Sequence, residues 1–176
     1  MKKVIKIGCD LDGVIIGKPP LMSKKLLERL FKGGCGKGLH YRFPKNKLEQ
    51  RIRILSHFWL IRPAIKKNVI AIKKLVKNKN VRIYAVSSRY SFLKKRTEQW
   101  FAKRKLNNLF EKFYLNIDDE QPHIFKEKMI KKLKLDYFLD DDPAIVKYLK
   151  RKVKKTEIVW VENNKCFKKL QFQNKI

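Results

Sequence analysis

Five short apolar runs of β type, separated by stretches with helical spacing, constrain this chain more than any other feature. Val4 to Cys9, Val81 to Val86, Phe113 to Ile117, Tyr137 to Leu139 and Glu157 to Val161 read as strands. Pro63 to Asn78 carries Ile65, Val69, Ile72 and Val76 at helical spacing, with Pro63 at its start and Asn-Lys-Asn as a stop. Phe92 to Lys105, with Phe92, Thr97, Trp100 and Phe101 as inward residues, reads as a second helix, and Lys126 to Leu133 and Ala144 to Lys152 as two more. Strands alternating with helices at this spacing need right-handed crossovers, which predicts an α/β fold: a mostly parallel sheet covered by helices on both faces. Residues 14–62 break the alternation, because Met22 to Phe31 and Leu48 to Ile61 have helical spacing around a glycine-rich loop, Gly33 to Gly38. The expectation is one α/β core, residues 1–13 and 63–176, with a small helical cap inserted over 14–62 after the first strand.

At 176 residues the chain can bury a real core without disulfides or a structural metal. Hydrophobic residues make up 44%, which suits a globular protein, while a formal net charge of +29 describes a very basic surface. Such a field draws polyanions, including nucleic acid and phosphorylated metabolites. The other reading of the charge is compositional: the lysines are spread along the chain, and runs such as Lys131 to Lys134 and Lys150 to Lys155 fall in or beside amphipathic patterns as solvated faces. Cys9, Cys35 and Cys166 form no CxxC pair and no zinc spacing, and their odd number suits a reducing, cytoplasmic setting. The apolar start is interrupted by Lys6 and runs into Asp10, so a signal peptide is not expected. No apolar run is long enough for a membrane span.

In a parallel α/β sheet ligands bind beyond the carboxyl ends of the strands. Asp10 and Asp12 follow the first strand, Ser87 the second, and Asp140, Asp141 and Asp142 the fourth. Carboxylates gathered at one mouth raise each other's pKa unless a cation sits among them, and an all-oxygen site with room for a phosphate suits Mg²⁺. A carboxylate neutralised in this way becomes a useful nucleophile toward phosphorus. Asp10 can then form an aspartyl-phosphate, while Asp12, two residues on, can protonate the leaving oxygen and later activate water. Ser87, nearby backbone N–H groups and a lysine, with Lys126 the candidate, can hold the phosphoryl oxygens.

Asp10-Leu-Asp-Gly-Val after a strand, then Ser87, Lys126 and Asp140-Asp141 in that order, resemble the four motifs of the haloacid dehalogenase superfamily. Asp-x-Asp-Gly also occurs in calcium loops, but here it follows an apolar strand and no glutamate closes a twelve-residue loop. The resemblance implies a Rossmann-like core, a Mg²⁺ cofactor held by Asp10, Asp141 and the Asp12 carbonyl, and Asp140 in support. Lys126 takes the third motif because the segment from Lys126 to Asp141 resembles the helix and strand of small nucleotidase-like members, with Lys128 in reserve. Asp142 is expected to cap the helix opening at Pro143. Arg62-Pro-Ala-Ile and Ile158-Val-Trp-Val-Glu-Asn resemble the 5′-nucleotidase (deoxyribonucleotidase) type C branch, which implies a nucleoside monophosphate as substrate.

The Gly33 to Gly38 loop fails the phosphate-loop spacing, since Phe31 occupies the first glycine position and Gly38 lacks a hydroxyl. His40, Tyr41, Arg42, Phe58 and Trp59 lie in the cap, where they can contact a base or phosphate or simply pack. Ser88 and Arg89 stand beside the mouth as substrate-binding candidates, although Arg89 can equally pair with one of the acids. His57 and His123 have no partner at metal spacing and read as packing or surface residues. Two rival functions stay open: a phosphatase acting on nucleic-acid ends, and a non-catalytic basic nucleic-acid-binding protein on the same scaffold. Oligomeric state is not readable from the sequence.

Overall fold

The computed structural model describes residues 3–19 and 39–161. The helix expected over Met22 to Phe31, the Gly33 to Gly38 loop, Cys35 and Cys166 lie outside them. Five strands, β1 (Ile5–Cys9), β2 (Val81–Ser87), β3 (Lys112–Leu115), β4 (Tyr137–Asp140) and β5 (Glu157–Trp160), form one sheet in the order β3-β2-β1-β4-β5. Every pairing is parallel. Among the described residues the helices are α1 (Lys47–Ser56), α2 (Lys66–Val76), α3 (Lys94–Lys103), α4 (Pro122–Leu133) and α5 (Pro143–Lys152). Among the described residues no helix is long and apolar enough to cross a membrane.

The two-residue period of the strands divides the core between the two faces of the sheet. Ile7 and Cys9 of β1, Ile83 and Ala85 of β2 and Leu139 of β4 pack with Val69, Ile72 and Leu75 of α2 and with Trp100 and Phe101 of α3. Val86 and Phe138 point the other way, onto Phe125, Met129 and Ile130 of α4 and Ile145, Val146 and Leu149 of α5. On that second face β1 offers Gly8, and a Cβ there would stand 2.4 Å from Leu135 and 2.6 Å from Phe138. The absent side chain is what lets Leu135 and Phe138 close over the central strand.

Three helix starts differ from the sequence expectation by more than one residue. Helix α2 begins at Lys66 rather than Pro63, because residues 63–65 lie antiparallel to residues 15–17: Gly17 N–H donates to Pro63 O at 2.7 Å, and Ile65 N–H to Ile15 O at 2.9 Å. Helix α4 begins four residues earlier than expected, with Pro122 in its first turn, where a missing N–H leaves nothing unsatisfied. The stretch read as one helix from Phe92 is a 3₁₀ turn, Ser91–Leu93, followed by α3. Val14, Ile15 and Ile16, placed by sequence in the inserted cap, are fully buried within the core, while α1 is the helix the structure describes farther along that insertion.

Candidate active site

The strand order reverses direction across β1, so the crevice between the carboxyl ends of β1 and β4 is the topological switch point. Asp10 leaves β1 there, and its N–H donates to Leu139 O at 2.9 Å. The loop that follows folds back on itself through Ile15 and Ile16 N–H groups on Leu11 O and Gly13 N–H on Ile16 O. Gly13 takes a left-handed φ of 72°, and a Cβ at this position would fall 1.8 Å from Asp141 Oδ2. Glycine is therefore required twice over, by the backbone and by the carboxylate resting against it.

Lys126 of α4 reaches beneath this crevice, fully buried, and donates to Asp10 Oδ2 at 2.8 Å and to Asp140 Oδ2 at 2.7 Å. The other Asp140 oxygen accepts the N–H of Asp142 at 3.0 Å, so both oxygens of Asp140 have donors. Asp10, Asp140 and Asp141 each offer a carboxylate oxygen within 4.8 Å of the others. Burial, with the Asp140 charge adding to it against the pull of Lys126, pushes Asp10 up to about 8. Burial and Asp140 push Asp141 up to about 7. Burial opposes the charge of Lys126, but the two carboxylates outweigh it and its pKa is raised. A set of three crowded oxygen donors with raised pKa values fits a hard divalent cation, which would relieve their repulsion.

Asp12 stands in a different environment. Arg89 donates to it through Nε at 2.6 Å and Nη2 at 2.7 Å, and Arg62 bonds the same carboxylate through Nη2. Burial would raise its pKa, but Arg89 and Arg62 hold it far below the usual carboxylate range. Arg89 Nη1 donates to Thr97 Oγ1 at 3.0 Å, so every nitrogen of this guanidinium has an acceptor. Arg62 is fixed from behind, its carbonyl accepting from Trp100 Nε1 at 2.7 Å and Arg104 Nη2 at 2.8 Å.

A cavity of about 280 Å³ opens above these groups, lined by Asp10, Asp12 and Asp141 on the loops after β1 and β4 and by Lys126 of α4. Tyr41, Arg53 and His57 of the insertion line it too, with Arg62, Ser88, Arg89 and Tyr90. No protein-family model matches the sequence, and no curated protein matches it. Solved structures do match. A hydrolase from Streptococcus pneumoniae superposes with a TM-score of 0.59 at 10% identity, over 97% of this chain and 100% of the other. A haloacid dehalogenase family enzyme from Bacteroides thetaiotaomicron, an aspartate-to-alanine variant in complex with magnesium and inorganic phosphate, gives 0.55 at 14% identity over 89% and 93%. This chain has the haloacid dehalogenase fold. A chain of the Pnkp1/Rnl/Hen1 RNA repair complex also matches, with a TM-score of 0.55 at 16% identity; 92% of this chain is covered but only 44% of that one.

The haloacid dehalogenase fold brings Asp10, Asp12, Lys126, Asp140 and Asp141 to one crevice. Ser88 lines the cavity, whereas Ser87 is buried behind it, its Oγ 3.4 Å from Arg89 N. Lys128 is exposed and pairs with Glu120, away from the crevice. Asp142 caps α5, accepting Ala144 N–H at 2.8 Å, and takes the Tyr41 hydroxyl at 2.6 Å. Phe58 lies under Arg96 and Trp59 near Lys103, so both pack. The sequence reading missed the cavity roles of Arg53, Arg62 and His57. His57 is buried, its Nδ1 2.7 Å from Arg53 O, and burial with the nearby Arg89 charge lowers its pKa to about 3. Their signal was the spacing of Arg53 and His57, four apart on one face of a helix, with Arg62 five residues beyond.

Proposed function

We propose that this chain is a magnesium-dependent phosphomonoesterase that works through an aspartyl-phosphate on Asp10, with a nucleotide as its substrate and a reducing, cytoplasmic setting. The observation that carries the reading is the buried Lys126 ammonium between Asp10 and Asp140, with Asp141 completing an oxygen cluster at the switch point. Such an arrangement holds the nucleophile's carboxylate in one orientation and places a positive charge where phosphoryl oxygens would gather.

Asp10, Asp141 and the Asp12 carbonyl would hold Mg²⁺, with Asp140 supporting them; the ion would neutralise the carboxylates and polarise the phosphoryl group. Asp10 attacks phosphorus while the leaving oxygen takes a proton from Asp12. In the second step Asp12 draws a proton from the water that clears the aspartyl ester. Arg62 and Arg89 keep Asp12 a carboxylate at rest, ready for that second step. For the first step it must carry a proton, which becomes possible when the negative phosphoryl group shares the arginines' charge. Ser88, on the cavity wall, is better placed than Ser87 to donate to the phosphoryl oxygens.

A second reading, a phosphatase on nucleic-acid ends, is favoured by the net charge of +29 and the likeness to a chain of an RNA repair complex. Phosphate release from nucleoside monophosphates, sugar phosphates and end-phosphorylated oligonucleotides, with and without Mg²⁺, tests both. Mg²⁺-dependent release that Asp10→Asn abolishes is the expected result, and the panel ranks the substrates. Release from none of them, with tight oligonucleotide binding, would leave the non-catalytic binding role.

A further inference from the structure

Two pairs of guanidinium groups, one wholly at the cavity and one there only through Arg53, each share a single acid. Arg62 and Arg89 share Asp12, and Arg42 and Arg53 share Glu49 at 2.6 and 3.1 Å. Each group of three carries one surplus positive charge. Arg53, Arg62 and Arg89 are all at least nine-tenths buried and line the cavity. Fixed surplus charge beside a small cavity is stabilised best by an anion that enters it.

Arg62 adds an independent observation. Its Nε is buried and has no hydrogen-bond partner among the described residues, while Nη2 bonds Asp12. A buried guanidinium N–H without an acceptor is uncommon and costly; Arg104 Nε shares that condition, but Arg62 is the one that lines the cavity, where a ligand can bring the acceptor. Arg89 differs, since each of its nitrogens already has one. Trp100 and Arg104 pin the Arg62 backbone, and Asp12 holds its head.

We propose that Arg62, backed by Arg53 and Arg89, forms a second anion subsite beside Asp12 that takes a phosphate carried by the leaving group, one nucleotide away from the phosphomonoester. The substrate class is then a phosphomonoester with a second phosphate close by: the phosphorylated end of a polynucleotide, or a nucleoside bisphosphate. A cavity of about 280 Å³ holds roughly one nucleotide unit, so only the end of a strand would enter while the rest follows the basic surface. The inference rests on the phosphomonoesterase reading for the scissile group, but the subsite itself is a binding claim.

The test compares end-phosphorylated oligonucleotides whose neighbouring linkage is either an ordinary phosphodiester or an uncharged methylphosphonate, at the 5′ and the 3′ end, alongside nucleoside mono- and bisphosphates. Wild type should favour the charged linkage by about tenfold or more in kcat/KM, as a charged hydrogen bond is worth. In Arg62→Gln that ratio should fall toward one, whatever happens to the underlying rate, and Arg62→Lys should keep part of it. Thermal melts of both variants establish that they are folded. Bisphosphates preferred as strongly as oligonucleotides would make the small molecule the source of the second phosphate; oligonucleotides alone would make it the strand. A ratio of one in wild type, or one unchanged in Arg62→Gln, overturns the subsite. If no compound is hydrolysed, the phosphomonoesterase reading fails by itself. The subsite is then decided by binding of the same labelled oligonucleotides to Asp10→Asn and to the Asp10→Asn/Arg62→Gln double variant. Selective binding of the charged linkage only in the former supports it, and equal binding ends it.

Discussion

Asp10 is buried with an ammonium on one side and carboxylates on the other, and its pH behaviour follows from that placement. Its pKa rises from 3.8 to about 8 on folding, through burial and then through Asp140. Below the unfolded value both states hold the proton. Between the two values the folded state keeps a proton that the unfolded chain releases, so this group's contribution to stability falls as pH climbs, and it levels off above the folded value. In metal-free protein, wild type should therefore lose thermal stability relative to Asp10→Asn as pH goes from 5 to 8. Mg²⁺ should narrow that gap, and it should bind more tightly, with proton release, as pH rises over the same range. A gap independent of pH and of Mg²⁺ would contradict the oxygen cluster as a cation site. Lys126→Ala should cost about 3–5 kcal/mol in denaturant unfolding at neutral pH, because it leaves the charge shared by two buried acids, Asp10 and Asp140, without its counter-ion. A loss below 1 kcal/mol would mean that the Lys126 bridge is not made in solution. Asp10 and Asp140 were legible in the sequence because strand ends place them, and Lys126 because its segment resembles the third motif of the family. The Asp12 pair was only half legible: Arg89 follows the serine pair at the end of β2, but Arg62 closes the insertion, where no strand end marks it, and its approach to Asp12 is set by packing, not by pattern.

At the scale of the element, the strands were readable because burial on both faces leaves continuous apolar runs that end in polar loops. Helix starts were less so. Pro63 has the composition of a first helical turn, yet pairing with residues 15–17 claims its carbonyl and keeps residues 63–65 extended. That bond is invisible in a local reading, since it depends on where the other strand-like segment comes to rest. Ser87 and Ser88 were equally ambiguous, because alternation along β2 decides which hydroxyl faces the cavity and the end of a strand is where alternation stops being reliable. Gly8 shows the same dependence on neighbours. Leu135 and Phe138 occupy the space its Cβ would need, so Gly8→Ala should destabilise the protein by about 1–3 kcal/mol through overpacking at the centre of the sheet. Equilibrium urea unfolding measures this, and an unchanged midpoint would show that the second face repacks freely.

For the molecule as a whole, the charge gives the sharpest expectation. With a formal +29, kcat/KM for end-phosphorylated oligonucleotides should fall steeply between low and physiological salt, whereas that for a nucleoside monophosphate should change little. Parallel salt dependence for the two would make the lysine excess compositional. The ladder between residues 15–17 and 63–65 has a different kind of consequence. It fastens the two ends of the long insertion to each other at the floor of the core, so the length of chain between them adds little to the entropy of closing that loop. The insertion can therefore change in length at little cost to the clasp beneath it, and Arg62, the last residue before the clasp, is where such a change would first be felt at Asp12.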